Sequence, residues 1–440
     1  MVTQEVEWPQ GVPAAFDLFA FAPELFCALL EHPKGEGRQF LVSRAGQSAA
    51  LDRIEPEAGD VFFAEWRREL PQSEGSADAL HTLFYLAYEA GGFFERLPAP
   101  KDKLDGPLIW RHRPEFSLCI DPANARLTLA AVDAATLDWL HGWLESARMS
   151  PSIPEWQPSN ELRYEATDGA DYCRSVAEVK ELIAAGDIFQ ANIARFFSLS
   201  FSEGDLLPLY ARLRRVNPAP FASFVRMEGA AGGLTLLSAS PERLFSLTPA
   251  GMAQTRPIAG TRRRGEADDD DLRAELLLSE KERAEHIMMV DLERNDLGRV
   301  CRPGTVRVNE CMVIERYATV QHIVSNVQGQ LATGRDLLDL LRAMFPGGTI
   351  TGCPKVRCMQ IIHQMEERPR GPYTGGLGYI ACDGSADMNI LIRTFWHWQG
   401  QLHWAAGAGI VADSDPELEL AETGHKAEGL LRALRQGNPP

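Results

Sequence analysis

The chain has 440 residues, 45% hydrophobic and 24% charged, the make-up of a globular protein with ample material for a core and no bulk disorder. A formal net charge of −17 argues against a general nucleic-acid binder, because neutralising phosphates requires a surplus of Lys and Arg on some face. Eight cysteines without a CxxC pair argue for reduced thiols rather than a disulfide framework.

The first residues, MVTQEVEWPQGVPAAF, carry acids and prolines where a signal peptide would carry a basic region and an apolar core, so a cytoplasmic protein is expected. The apolar stretch AAFDLFAFAPELFCALLEH is interrupted by Asp17, Pro23 and Glu24 and is not expected to span a membrane. Up to about residue 150, short apolar runs (RQFLVSRA, DVFFAEW) mix with segments of helical patterning (ADALHTLFYLAYEAGGFFERL, AATLDWLHGWLESA). The proline- and serine-rich stretch SPSIPEWQPSNE then reads as a linker. The organisation expected is an N-terminal region over 1–150, a linker over 151–165 and a C-terminal catalytic domain over 166–440.

Beyond the linker, DYCRSVAEVKELIAAGD has helical spacing and leads into IFQANIARFFSLSF, whose alternation reads as a strand. The acidic run EADDDDL precedes the helical segment RAELLLSEKERAEHIMMVDLERND, where the helix macrodipole favours negative charge. Strands are predicted in TVRVNECMVIERYATVQHIVSNVQGQL, GLGYIACDG and NILIRTFWHWQGQLHWAAGAGIV, with helices around DLLDLLRAMF and KVRCMQIIHQMEE. A last helix is signalled by Asp413 and Ser414 as cap candidates, Pro416 in its first turn and the periodic run LELAETGHKAEGLLRALR. Strands and helices do not alternate regularly, which disfavours a parallel doubly wound sheet.

Glu282 and Glu285 stand three residues apart and so share a helix face; Glu419 and Glu422 repeat the spacing, with Lys426 one turn beyond. If the two pairs converge, their hard oxygens suit one Mg²⁺, which takes one or two carboxylates and leaves room for substrate and water. Spacing alone describes an ordinary solvated face equally well. The histidines form no HExxH or Cys/His pattern for zinc. The glycine-rich pieces FPGGTITGCPK and AGAGI could offer backbone amides to a carboxylate, but match neither a P-loop nor a dinucleotide fingerprint.

The ordered set SPERL, RPIAGTRRRG, ERAEHIMMVDLERNDLGRVC, YATVQHIVSN, FPGGTITGCPKVR, GPYTGGLGYI, ILIRT and AGAGIVADSDPELELAETGHKA resembles the chorismate-utilising enzymes. Within them it is similar to component I of the amidotransferase-linked aminodeoxychorismate and anthranilate synthases. The resemblance is dense over residues 171–434 and looser before them. It implies an α/β fold of the α+β type, an antiparallel β-sandwich flanked by helices. It further implies Mg²⁺ held by Glu285 and Glu422 with Glu282 and Glu419 in support. One chorismate carboxylate would then be held by that ion with the amides of Gly407, Ala408 and Gly409 and help from Lys426. The enolpyruvyl carboxylate would meet Tyr373 and Arg393, Thr349 and His322 would line the ring, and Glu242 would be the general acid for the departing 4-hydroxyl.

The resemblance also narrows the nucleophile. Members that add water carry a lysine base where this chain has Gln190, and ammonia users carry glutamine. Most aminodeoxychorismate synthases read PIKGT and attack ring carbon 2 with that lysine, whereas here Ala259, Gly260 and Thr261 follow the PIAGT pattern, so ammonia itself must add. The amino intermediate could then lose pyruvate to give anthranilate or accept a second ammonia at carbon 4 to give 4-amino-4-deoxychorismate. Asn192 in FQANIAR, the FPGGTITG stretch and His32 in place of a serine beside Glu31 lean toward aminodeoxychorismate; Ala259 and its surroundings fit anthranilate synthase. Cys353 and Ala386-Asp387-Met388 depart from both groups. No GxCxGxQ-type cysteine elbow occurs, so a separate glutamine amidotransferase subunit is the expected ammonia source.

Overall fold

A computed structural model describes residues 1–7, 14–32, 37–71, 75–147, 162–228, 233–263, 280–316 and 320–435, with backbone alone at 259–263, 280–282, 315–316 and 320–322. Its strands form two antiparallel sheets. The first runs Val2–Glu7, Arg126–Ala131, Phe116–Asp121, Gln39–Ser43, Phe26–Glu31, Phe221–Met227, Leu234–Ser240, Thr394–Trp398, Gln401–Ile410, Gln190–Ser200, Gly352–Cys353. The second runs Ile258–Arg263, Val320–Gln330, Met252–Thr255, Arg243–Leu247, Ala386–Ile390, Gly376–Ala381, Leu80–Leu86, Ile109–Pro114, Gly46–Leu51. Both sheets thus draw strands from either side of the division placed at 151–165, most of which lies outside the described residues.

The sheets face one another across one core. Phe40 of the first sheet meets Tyr379 of the second with ring centroids 4.9 Å apart, and Trp66, Trp110 and Trp396 are fully buried. Removing one such large side chain from water is worth about 1.5–3 kcal/mol. A second core fills the outer face of the first sheet, where Leu137, Leu140, Leu209, Leu213, Leu430 and Leu431 come from the helices Ala134–Ser146, Leu206–Val216 and Pro416–Leu434. Helices on one side and a second sheet on the other give the α+β sandwich that the resemblance implies, in keeping with the irregular element order.

Two N-terminal readings are corrected. ADALHTLFYLAYEAGGFFERL, patterned like a helix, supplies the strand Leu80–Leu86 and a 3₁₀ turn at Tyr88–Phe93. The strand lies inside the second sheet between Gly376–Ala381 and Ile109–Pro114 with residues of both faces buried, and such a continuous apolar run has no period to separate strand from helix. DVFFAEW, read as an apolar run, falls within the helix Pro56–Arg68, where Gly59, Phe62 and Trp66 form the buried stripe. At the last helix the cap is Asp415, one residue beyond the two candidates, its carboxylate accepting from the amides of Glu417 and Leu418 at 3.0 and 3.1 Å. The acidic run EADDDDL lies outside the described residues; the helix that follows it is described from Glu280 to Gly298.

Candidate active site

Two chain crossings between the sheets lie side by side. Leu234–Ser240 passes through Pro241 and Glu242 into Arg243–Leu247, and Ala386–Ile390 returns through 391–393 into Thr394–Trp398. The amide of Ile390 donates to the carbonyl of Glu242 at 3.0 Å and that of Ala239 to Arg393 at 3.0 Å. Below them the hydroxyls of Ser238 and Thr394 share a 2.8 Å bond. Arg393 sits at φ +50°, in the left-handed region, which a residue other than glycine seldom adopts unless its surroundings impose it. The crossings therefore fix Glu242 and Arg393 through rigid backbone rather than a free loop.

Glu242 is buried, and its Oε1 accepts from the Thr349 hydroxyl at 2.9 Å. Burial pushes its carboxyl up to about 7, against the opposing pull of the Thr349 bond, Arg393 and Lys426. Burial likewise lowers the affinity of the Arg393 guanidinium for its proton, with Glu242 opposing. A carboxyl that keeps its proton near neutrality beside a hydroxyl donor and a guanidinium is equipped to give that proton to a leaving group. Activity that depends on the acid form is expected to fall as pH rises through about 7, seen as the alkaline limb of kcat against pH. A rate flat from acid to alkaline pH would remove Glu242 from that role.

The glycine-rich strand Gln401–Ile410 forms a second wall. Asn192 and Ala194 turn their backbone groups away from it: the Asn192 amide donates to Thr351, its carbonyl accepts from Arg370, and the Ala194 amide donates to Glu366. Antiparallel alternation then commits the amide of Ala408, opposite Ile193, to the ladder and turns those of Gly407 and Gly409 outward. Gly407 points its amide at the Tyr373 hydroxyl, and its carbonyl accepts from Lys426 Nζ at 3.0 Å. Of the three amides that the resemblance implies, two turn outward and that of Ala408 does not. A Cβ on Gly409 would stand 2.3 Å from Gln190 Nε2, and one on Gly407 2.5 Å from Asn192 Oδ1 and 2.8 Å from the Tyr373 hydroxyl. These glycines make room for two carboxamides and a phenol. Asn192 Oδ1 is buried and has no hydrogen-bond partner, an acceptor left for something that brings a donor. Burial keeps the Tyr373 phenol protonated well beyond its usual range.

The structure brings Glu242, Thr349, Arg393, Tyr373, Gln190, Gly407, Gly409 and Lys426 to this region. Ala259, Gly260 and Thr261 lie on the strand Ile258–Arg263 at the edge of the second sheet. Ala259 pairs with Ile323 and Thr261 with His322 across a register shift, with the side chains of 259–261 and of His322 outside the described residues. Glu422 is half-exposed and pairs with Lys426 at 2.7 Å; buried Glu419 accepts from the Ser414 hydroxyl at 2.6 Å. Glu285 is half-buried on the helix Glu280–Gly298, and the Glu282 side chain is not described. Among the described residues no group of three or more His, Cys, Asp or Glu side chains is placed to share a metal ion.

Other side chains emerge from the structure rather than from motif reading. Arg370 and Glu366 form a fully buried pair at 2.6 Å, and Arg370 also donates to the carbonyls of Ile350 and Asn192 at 2.9 and 2.7 Å. Glu293 and Asp296, both buried, lie below the 348–350 turn with Lys355, which pairs with Asp296 and donates to the Met344 carbonyl at 3.0 Å. Burial and Asp296 push the Glu293 carboxyl upward. Asp387, one of the departures from the family pattern, binds Arg243 through both oxygens at 2.8 Å. Cys353 is half-buried, and burial raises its thiol, opposite to what a nucleophile needs. Glu31 is buried with its carboxylate taken up by Arg214 and the Tyr210 hydroxyl, each at 2.7 Å.

The sequence profile of the chorismate binding enzymes matches residues 27–432. The chain is 46% identical over 356 residues to an anthranilate synthase component I-like protein of Synechocystis, covering 80% of this chain and 72% of that one. It is 47% identical over 265 residues to aminodeoxychorismate synthase component 1 of Bacillus subtilis, covering 60% of this chain and 55% of the relative. The crystal structure of anthranilate synthase component I from Streptococcus pneumoniae superposes with a TM-score of 0.78 at 27% identity, covering 89% of this chain and 92% of that one.

Proposed function

The chain belongs to the family of chorismate binding enzymes, and from that premise we propose that it aminates chorismate with ammonia supplied by a glutamine amidotransferase subunit. The observation that carries the reading is the buried Glu242, pushed up to about 7 by burial and aligned by Thr349, within the influence of Arg393 and Lys426. Chorismate is a dicarboxylate. Arg393 and the protonated Tyr373 hydroxyl, backed by the Gly407 amide, would take one carboxylate; the outward amide of Gly409 with Lys426 would take the other. Ammonia adds to ring carbon 2, both ring double bonds shift by one position, and the 4-hydroxyl leaves as water with the proton of Glu242, the new ammonium group shedding one proton to restore the balance. For 4-amino-4-deoxychorismate a second ammonia enters at carbon 4 as the double bonds shift back and the carbon-2 amine leaves as ammonia. The amide of Gln190 beside Gly409 is neutral, which suits a nucleophile needing no deprotonation before it attacks.

All the candidate metal donors are carboxylates, the type Mg²⁺ takes, and two suffice when substrate oxygens and water complete the shell. Glu422, half-exposed on the helix Pro416–Leu434, and Glu285, on the helix Glu280–Gly298, would hold it, with Glu419 and Glu282 in support. The ion would supply charge neutralisation for a substrate carboxylate on an acidic protein. Chelation by EDTA is expected to abolish turnover and added Mg²⁺ to restore it; activity that survives exhaustive chelation would remove the ion from the proposal.

For the product we favour 4-amino-4-deoxychorismate, on Asn192, whose unpartnered Oδ1 stands in the site as an acceptor for an N–H group. Anthranilate is the second reading, supported by the PIAGT sequence at 257–261 and by relatives that bear that name. Purified protein incubated with chorismate, Mg²⁺ and ammonium separates them. Lyase-dependent p-aminobenzoate is expected, and anthranilate appearing without the lyase would overturn the choice of product.

A further inference from the structure

A cleft separate from the active site lies between the segments 88–89 and 97–101, the helix Lys355–Met365 and the stretch 366–370. None of the residues that would hold chorismate lines it. It encloses ≈ 500 Å³ of empty space, counted out to its open mouth. Its walls are mainly apolar, from Ile54, Leu97, Pro98, Pro100, Met359 and Ile362. A concave, mainly apolar hollow with a few polar groups is the usual form of a small-ligand site.

Most ionisable groups on these walls already have partners. Arg370 is paired with Glu366 at 2.6 Å and Arg368 with Asp105, and Glu89 accepts from the amides of Arg370 and Gly371 at 2.7 and 3.0 Å. Burial pushes the Glu89 carboxyl up to about 7, and burial together with Lys101 holds His363 below its usual range, so the imidazole is neutral at neutral pH. Lys101 differs. Its ammonium donates to the carbonyls of Gln364 and Glu366 at 3.0 and 2.8 Å and pairs with no carboxylate among the described residues. An ammonium has three donors, so one N–H and an unmatched charge are left for a ligand. Tyr88, also on the wall, has a buried hydroxyl without a hydrogen-bond partner, an arrangement that a ligand's polar group would complete.

We propose that this cleft binds a small monocarboxylate whose apolar body is about the size of one ring. Its carboxylate meets Lys101, its body lies against Leu97, Met359 and Ile362, and the Tyr88 hydroxyl gives a second polar contact. A dicarboxylate such as chorismate would have to strip water from a second charge against the apolar wall, and a cation would meet Lys101 as a like charge. No bond is made or broken there. The inference goes beyond the amination reading and holds whichever product the active site makes.

The test titrates the purified full chain with benzoate, benzyl alcohol and benzylammonium, read by saturation-transfer NMR and calorimetry. Benzoate is expected to bind with a Kd of about 1 mM, the alcohol about tenfold more weakly and the cation not at all. Lys101→Gln keeps N–H donors for the two carbonyls and removes the charge. It is expected to weaken benzoate about tenfold and leave the alcohol unchanged. Tyr88→Phe has no hydrogen bond to lose, so its fold is secure, and it should weaken benzoate about threefold. Leu97→Trp fills the cleft and should abolish binding of both ligands. Saturating chorismate without ammonium should not displace benzoate. Thermal melts and chorismate turnover of Lys101→Gln and Tyr88→Phe are expected to match the wild type, which shows that the active site is intact. Absence of benzoate binding by the wild type, equal binding by wild type and Lys101→Gln, or displacement by chorismate would each overturn the site. None of these outcomes bears on amination, which is read by product formation alone.

Discussion

Replacing Glu242 with Gln is expected to lower kcat by about 10²–10⁴ while chorismate binding stays within about threefold. The substitution keeps the shape of the side chain and an oxygen that can accept from Thr349, so the 2.9 Å contact and the packing of both crossings should persist. What it removes is a proton that can be transferred. A hydroxide ion is a poor leaving group, and no other described carboxyl stands in the crossing beside Arg393. Loss confined to kcat therefore identifies a group acting in the transition state rather than in ground-state binding. Glu242→Asp should fall between the two, because withdrawing the carboxyl by one methylene breaks the Thr349 bond and relaxes the alignment. Steady-state kinetics with calorimetric chorismate titration reads both terms. Full turnover in Glu242→Gln would transfer the acid role to another group.

The motif residues were legible because their chemistry is local in sequence: SPER, GPYTGG and AGAGI each place a charge, phenol or amide where a short turn or glycine run fixes it. Their company was not legible. Glu242 and Arg393 are 151 positions apart and meet because two strands change sheets at the same corner, a consequence of long-range pairing that no window reveals. The outward orientation of the Gly407 and Gly409 amides depends on register with Gln190–Ser200; a shift by one residue would present Ala408 instead. LHTLFYL was misread because a strand buried on both faces loses the alternation that marks strands. Glu366 and Arg370, in EERPRGPY, belong to none of the motifs. Only the fold shows that this segment passes beneath the site.

Arg370→Ala is expected to destabilise the protein by about 3–5 kcal/mol, the range found when one member of a buried ion pair is removed. Both partners are almost wholly buried, with side chains 1% and 3% exposed, so Glu366 would keep its charge without its counter-ion. The guanidinium also satisfies the carbonyls of Ile350 and Asn192, which flank the 348–350 turn and the strand bearing Gln190, and it lies over the Tyr88 and Tyr373 rings. Its loss should therefore loosen both walls of the site. KM for chorismate should rise together with the loss of stability, unlike the kcat-only effect at Glu242. Lysine is a poor substitute, because one ammonium cannot reach Glu366 and two divergent carbonyls with a fixed fork. The double variant Arg370→Met with Glu366→Leu should recover part of the stability, since no lone charge remains. It should not recover all of it, because the Ala194 amide now bonded to Glu366 at 2.9 Å would still lack a partner. Urea denaturation of the three proteins distinguishes these outcomes. If Arg370→Ala unfolded at the wild-type midpoint, the pair would not be the brace beneath the site.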